Sequence, residues 1–153
     1  MKPSLKSQGG QALVEMAFLM LAFFFTIFGI TEFARALYSY NVIVWSTREA
    51  ARWGVVNITG STDTTNINRA KNFVVYGDPD VSSGDARLNG LTTSVVNVSV
   101  QTVDVDDNGI PISQKVSVSV SGYQFQFIVP LVPHITIPAF ETSLHTESMG
   151  STG

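Results

Sequence analysis

The stretch "GGQALVEMAFLMLAFFFTIFGITEFARALY", Gly9–Tyr38, decides the fold, because it is apolar over the length of a membrane crossing. Within it, Ala12–Ile30 carries a single charged residue, Glu15. At a helical rise of about 1.5 Å per residue this segment is about 28 Å long, close to the roughly 30 Å hydrocarbon core of a bilayer. We therefore predict a transmembrane helix over 12–30.

The residues before this helix predict its orientation. Lys2 and Lys6 lie before the apolar run, and no acidic residue precedes Glu15. Positive charges beside a membrane helix are retained in the cytoplasm, so the N-terminus should stay there and the rest of the chain should be exported. A cleavable secretory signal is the alternative, since Ala34-Arg35-Ala36 places small residues around a possible cut. The helical pattern continues through that point, however, which favours an uncleaved helix.

One helix is predicted over 11–56, about 69 Å long, so that more than half of it lies beyond the lipid. Apolar residues recur every three or four positions on one face, which we expect to contact the exported domain: Phe33, Leu37, Tyr40, Val44, Thr47, Ala51 and Val55. A second apolar face follows Tyr38, Val42, Trp45 and Trp53, beside Arg35, Glu49 and Arg52. Two hypotheses are open for its tryptophans, namely amphipathic surface cover or a packing surface for a second chain.

A linker with a short helix is predicted to follow the long helix. The linker covers 57–93 and the short helix 66–76, with Asp63 or Thr65 near its N-cap and Gly77 at its end.

Two runs of valines that alternate with polar residues predict an antiparallel sheet over the remainder of the chain, 94–149. Asp107-Asn108-Gly109 between the runs is a strong hairpin signal, and a shift of apolar parity at Gly122 suggests a bulge. A third strand is predicted around Phe140, Thr142 and Leu144. The predicted fold is α+β and pilin-like: a long N-terminal membrane-spanning helix packed on a small three-stranded antiparallel sheet, with a short leader (1–10) and a tail (150–153).

Composition and spacing argue against several kinds of site. A net charge of −3 without a basic patch argues against nucleic acid, and the absence of cysteine excludes disulfides and thiolate zinc sites. Asp104–Gly109 matches the first half of an EF-hand loop, but Lys115 stands where a bidentate Glu is needed. A hairpin turn explains the same residues. His134 and His145 lack the paired spacing of metal ligands. No catalytic motif is found, and we predict no enzymatic activity, cofactor or metal.

The long helix carries charges at fixed places inside and beside its apolar run, and these residues form a recognisable pattern: Gly10, Gln11, Val14, Glu15, Ala17, Glu32, Arg35, Ala36, Tyr38, Arg48, Glu49, Ala51 and Arg52. In this pattern the chain resembles the TadE-like family of the tight-adherence (Flp, type IVb) pilus system. The resemblance covers about Gly10–Gly54, a third of the chain.

The resemblance implies a minor pilin or pseudopilin, cleaved by a prepilin peptidase between Gly10 and Gln11. Glu15 would then pair with the new α-amine of a neighbouring subunit. The expected partners are the membrane, other pilin-like subunits and the pilus assembly machinery. The expected location is the bacterial inner membrane, with the C-terminal domain periplasmic or extracellular and possibly in surface filaments. The candidate subunit-packing residues are Glu32, Arg35, Tyr38, Trp45, Arg48, Glu49, Arg52 and Trp53.

Two other functions fit the same sequence. One is a single-pass, membrane-anchored binding or adhesin domain that never enters a filament. The other is an enzyme accessory subunit of a secretion machine.

Overall fold

A computed structural model of the 153-residue chain describes residues 9–105, 107, 111–128 and 134–146. In chain order its elements are α1 (Gly9–Asn57), α2 (Thr64–Tyr76), a short 3-10 helix (Thr93–Val95), β1 (Val96–Val105), β2 (Pro111–Val120), β3 (Gln124–Phe125), β4 (Ile135–Thr136) and β5 (Phe140–His145). The predicted α+β fold, with a long helix and a three-stranded antiparallel sheet, is confirmed. The chain divides into two compact units, Met1–Leu37 and Tyr38–Gly153.

The first unit is the apolar part of α1. Its large apolar side chains are exposed around the whole helix, for example Phe18 at 69% and Ile30 at 65%. Among the described residues this is the one helix that is long and apolar enough to cross a membrane. Its threonines suit such surroundings, since Thr26 Oγ1 donates to Ala22 O and Thr31 Oγ1 to Ile27 O, each at 2.9 Å. Each hydroxyl thereby satisfies its donor within the helix.

The second unit packs the later part of α1 on a sheet of order β1-β2-β5, in which both neighbouring pairs are antiparallel. The central strand β2 contributes Val116 and Val118, both fully buried. Opposite them α1 presents small residues. A Cβ atom added to Gly54 would lie only 3.1 Å from Cγ1 of Val116. Glycine at this position therefore allows the helix and the central strand to approach closely.

The predicted contact face of α1 is wrong at its first two positions, since Phe33 is 66% and Leu37 47% exposed. Tyr40 does contact the sheet, because it is 37% exposed and its ring lies 6.4 Å from that of Phe140 in β5, edge to face. The buried positions of α1 in the second unit are Ser39, Ile43, Val44, Ser46, Thr47, Ala50, Ala51 and Gly54. Most of these are small or hydroxylated, so a search for large apolar residues does not find the whole face.

The predicted bulge at Gly122 is also wrong. Strand β2 ends at Val120, and Gly122 adopts φ +78°, a left-handed conformation that favours glycine. The chain then turns into β3, which pairs with β4 in a separate two-stranded sheet. A register shift does occur in β1, between Thr102 and Asp104. The predicted turn residues Asn108 and Gly109 lie outside the described residues.

Helix α2 begins two residues before the predicted start and has defined ends. Asp63 Oδ1 accepts a hydrogen bond from the Asn66 N–H at 3.2 Å, and Asp63 Oδ2 accepts one from the Asn66 amide at 2.8 Å. These hydrogen bonds stabilise the carboxylate and lower the pKa of Asp63. Gly77, at φ +84°, caps the other end. The guanidinium of Arg69 lies over the Trp53 ring at 5.6 Å, which joins α2 to α1.

Val44→Asp should destabilise the second unit, because Val44 is only 9% exposed. A buried polar group without a partner costs roughly 2–7 kcal/mol, and a charge costs more, so we expect a loss of at least ~2 kcal/mol. The measurement is thermal unfolding of the full chain in detergent, followed by circular dichroism.

Trp45→Asp is the matched control, since Trp45 is the next residue along the same helix and is 65% exposed. It should leave the unfolding temperature of the dispersed protein nearly unchanged. Equal effects of the two substitutions would mean that α1 does not use this face to contact the sheet.

Candidate functional site

The predicted processing residues lie in the first turns of α1. Gln11 Nε2 lies 3.4 Å from Glu15 Oε1, a weak hydrogen bond across one helical turn, and all of these residues are exposed. The predicted scissile bond, Gly10–Gln11, is part of the helix. The first N–H groups of a helix have no partner within it, and glycine is a poor helix former. Gly9 and Gly10 therefore make the first turn of α1 easier to open.

Two predicted packing residues pair with each other where the apolar segment ends. Arg35 Nη1 donates to both carboxylate oxygens of Glu32, at 2.9 and 2.8 Å. Glu32 is only 7% exposed, although it belongs to a helix whose apolar residues are largely exposed. Each charge thus compensates the other within one helical turn.

Three further candidates contact other elements of the second unit. Glu49 Oε2 accepts from Arg87 Nη1 at 2.9 Å, and the Arg48 guanidinium lies 6.0 Å from the centre of the Phe140 ring. Trp53 is half-buried and lies beneath Arg69. For Trp53 this contact agrees with the first of the two hypotheses, in which the tryptophan covers the surface of its own domain.

Tyr38 and Trp45 differ from these residues because they are 66% and 65% exposed. They lie seven positions apart, and Val56, 81% exposed, follows eleven positions later. At about 100° per residue the three side chains project within about 20° of one another. We call Tyr38, Trp45 and Val56 the exposed strip. Along the helix axis they lie about 10 and about 16 Å apart, so the strip consists of separate exposed apolar positions on one side of the helix. Arg52 is exposed on the same side of the helix.

Sequence reasoning missed Arg69, Arg87 and Phe140 as partners of the candidate residues. Each lies far along the chain from the residue it contacts, and no short spacing links them. Arg87, for example, pairs with Glu49 across 38 positions. A single sequence carries no signal for such a pair.

The described residues of the discounted metal sites do not form a metal-binding group. His134 and His145 are both exposed. Of the EF-hand-like residues, Asp106, Asn108 and Gly109 lie outside the described part of the chain. Among residues 9–105, 107, 111–128 and 134–146, no group of three or more His, Cys, Asp or Glu side chains could hold a metal ion.

The architecture defines a class of protein: a single N-terminal helix of membrane-spanning length and composition that continues into a small α+β domain. The family model described as TadE-like protein matches residues 10–52. The resemblance predicted from the sequence is therefore confirmed over this segment, which holds every candidate site residue except Trp53. The match indicates association with a Tad pilus system. Comparisons with curated proteins and with solved structures gave no match.

Proposed function

We propose that the chain is a non-enzymatic, pilin-like subunit, a minor pilin or pseudopilin, which takes part in the assembly or composition of a Flp-type pilus. The observation that carries the proposal is that the TadE-like match over residues 10–52 coincides with the apolar segment of α1 and its polar positions. In this proposal α1 anchors the chain in the bacterial inner membrane. A prepilin peptidase and neighbouring pilin-like subunits then act on the same helix.

The proposed topology has a cytoplasmic N-terminus and places Asn57 and all later residues outside. Lys2 and Lys6 support it, because positive charges beside a membrane helix are retained in the cytoplasm. An alkaline phosphatase fused after Gly153 should therefore be active, since this enzyme folds only in the periplasm. A matched fusion of a reporter that is active only in the cytoplasm should be silent. The reverse pattern, with both fusions expressed, would overturn the orientation.

Glu15 has a specific role in the proposed assembly. A carboxylate at the centre of a bilayer costs about 2.5–3.5 kcal/mol on insertion scales. Glu15 lies about 6 Å past Gln11, so its cost is smaller, but it still favours a cationic partner. Cleavage before Gln11 would create an α-amine with the same need. The carboxylate of one subunit and the amine of its neighbour then compensate each other as the helices pack side by side.

The exposed strip supports side-by-side packing outside the membrane. Tyr38 and Trp45 present large aromatic surfaces, and aromatic side chains contribute strongly to protein interfaces. Because the sheet contacts α1 elsewhere, the strip is accessible to another chain while the domain is folded. In the proposed filament it is covered by a neighbouring subunit.

Glu15→Gln should separate processing from assembly, because it keeps the shape of the side chain and removes its charge. Cells that carry only this variant should contain processed, membrane-held protein and few filaments. Immunoblots of membranes and electron microscopy of sheared filaments measure the two outcomes. Glu141→Gln makes the same chemical change at an exposed position of β5 and should leave piliation normal. Normal piliation of the Glu15→Gln cells would refute the charge pairing.

A membrane-anchored binding domain that never enters a filament is the second candidate. It is favoured by the extent of the family match, which leaves the α2 and sheet region unmatched. N-terminal sequencing of the native protein distinguishes the two. A mature chain that begins at Gln11 and occurs in sheared filaments supports the subunit, whereas an unprocessed chain confined to membranes supports the anchored domain.

A further inference from the structure

The loop over 77–92 connects α2 to the short 3-10 helix without a helix or strand of its own. Ordered loops longer than about 12–15 residues are uncommon in compact domains and are usually functional. This loop lies within the second unit, Tyr38–Gly153. It therefore calls for an explanation that the proposed pilin function does not supply.

Contacts with the helices hold the loop in place. Asp80 forms an ion pair with Arg69 of α2. Arg87 N–H donates to Val75 O at 2.7 Å, and its guanidinium binds Glu49 of α1. Further along, Leu88 and Leu91 are buried, and Tyr123 Oη donates to Asn89 O at 3.0 Å. The loop is thus fixed on both sides of its exposed stretch, Val81–Asp85.

A cleft of about 410 Å³ lies between this loop, α2 and the 3-10 helix. Its lining residues are all polar: Asn68, Lys71, Asn72, Ser82, Thr93 and Ser94. The three from α2 are spaced i, i+3 and i+4, which places them on one face of the helix. The cleft therefore has one wall from α2, facing Ser82 of the loop and Thr93 and Ser94 of the 3-10 helix.

The hydrogen-bonding groups of the cleft are largely unused by the protein. Ser94 Oγ lies 2.8 Å from Thr92 Oγ1. The side chains of the other five lining residues make no hydrogen bond to any described residue. They offer two amides, two hydroxyls and one ammonium. Amides both donate and accept, hydroxyls do the same, and Lys71 only donates.

We propose that this cleft binds an acidic saccharide, a ligand that combines several hydroxyls with one carboxylate. The amides and hydroxyls match a sugar's alternating donors and acceptors, and Lys71 supplies a charge-assisted bond to the carboxylate. A peptide with apolar anchors would find no apolar side chain among the lining residues. A small inorganic anion would use Lys71 and leave most of the other groups unpaired.

Saturation-transfer NMR on the full chain in phosphocholine micelles tests the proposal, because this detergent has no sugar headgroup. The probes are sodium glucuronate, an oligosaccharide of linked hexuronates, glucose and acetate. Saturation should transfer to the ring protons of at least one uronate, and more weakly to glucose. A stronger saturation transfer to glucuronate would indicate a monosaccharide ligand. A stronger transfer to the oligosaccharide would indicate a ligand that is part of a polymer.

Two variants and one control locate the binding. Lys71→Gln should weaken uronate binding by about tenfold, the loss expected for one charge-assisted hydrogen bond. Asn72→Asp, which adds a negative charge to the cleft, should weaken uronate more than glucose. Lys115→Gln changes a lysine of β2 outside the cleft lining and should have no effect.

Any of three results would overturn the proposal. The first is that neither uronate shows saturation transfer, and the second is that an equal concentration of acetate displaces the uronate. The third is that the wild type and the Lys71→Gln chain bind uronate equally well. None of them bears on pilus assembly, so the inference fails or stands independently of the proposed function.

Discussion

The close approach of α1 to β2 fixes the two layers of the second unit against each other. Ser46 and Ala50 of α1 are small and buried, and at Gly54 the Val116 side chain of β2 occupies the space that a larger side chain would need. Because β2 is the central strand, its position fixes β1 on one side and β5 on the other. Protein interiors are packed as densely as organic crystals, so such a fit determines which face of a helix is buried. A large side chain at Gly54 would separate the two layers.

The same helix meets two different requirements along its length. In the first unit it needs apolar side chains in every direction, because lipid offers no hydrogen-bond partners. In the second unit it needs one tightly fitting face and a polar or aromatic surface elsewhere. Glu32 and Arg35 lie where the first requirement ends, and they satisfy each other with two hydrogen bonds. Charges can therefore appear on the helix without a separate partner for each.

The sequence predicted those features that repeat along the chain or follow from a local signal. The apolar run indicated the long helix, alternating valines indicated β1 and β2, and Gly77 marked the end of α2.

The buried face of α1 was only partly predictable. Ser39, Ser46 and Ala50 carry little apolar surface, so they are buried because their small size fits the packing and not because they are hydrophobic. Strands β3 and β4 have two residues each and leave no periodic pattern. The contacts of Arg69 and Arg87 depend on how distant segments meet, which no spacing records. For the candidate site, the sequence predicted roles for Glu15, Tyr38 and Trp45 that stay predictions, and the partners of Glu49 and Trp53 emerged only from the structure.

The two kinds of contact proposed for a neighbouring subunit differ in how strongly they depend on alignment. A charge pair in an apolar medium weakens steeply when its members separate, because little solvent is available to replace the lost partner. A slip of one helical turn moves the helices by about 5.4 Å, which is enough to break a hydrogen-bonded pair. The exposed strip of Tyr38, Trp45 and Val56 tolerates such a slip better, since apolar contact is non-directional and scales with the area that is buried. Glu15 would therefore set the register between subunits, whereas the strip would contribute most of the buried area. This division explains why a carboxylate is useful at the start of a helix that is otherwise compatible with lipid.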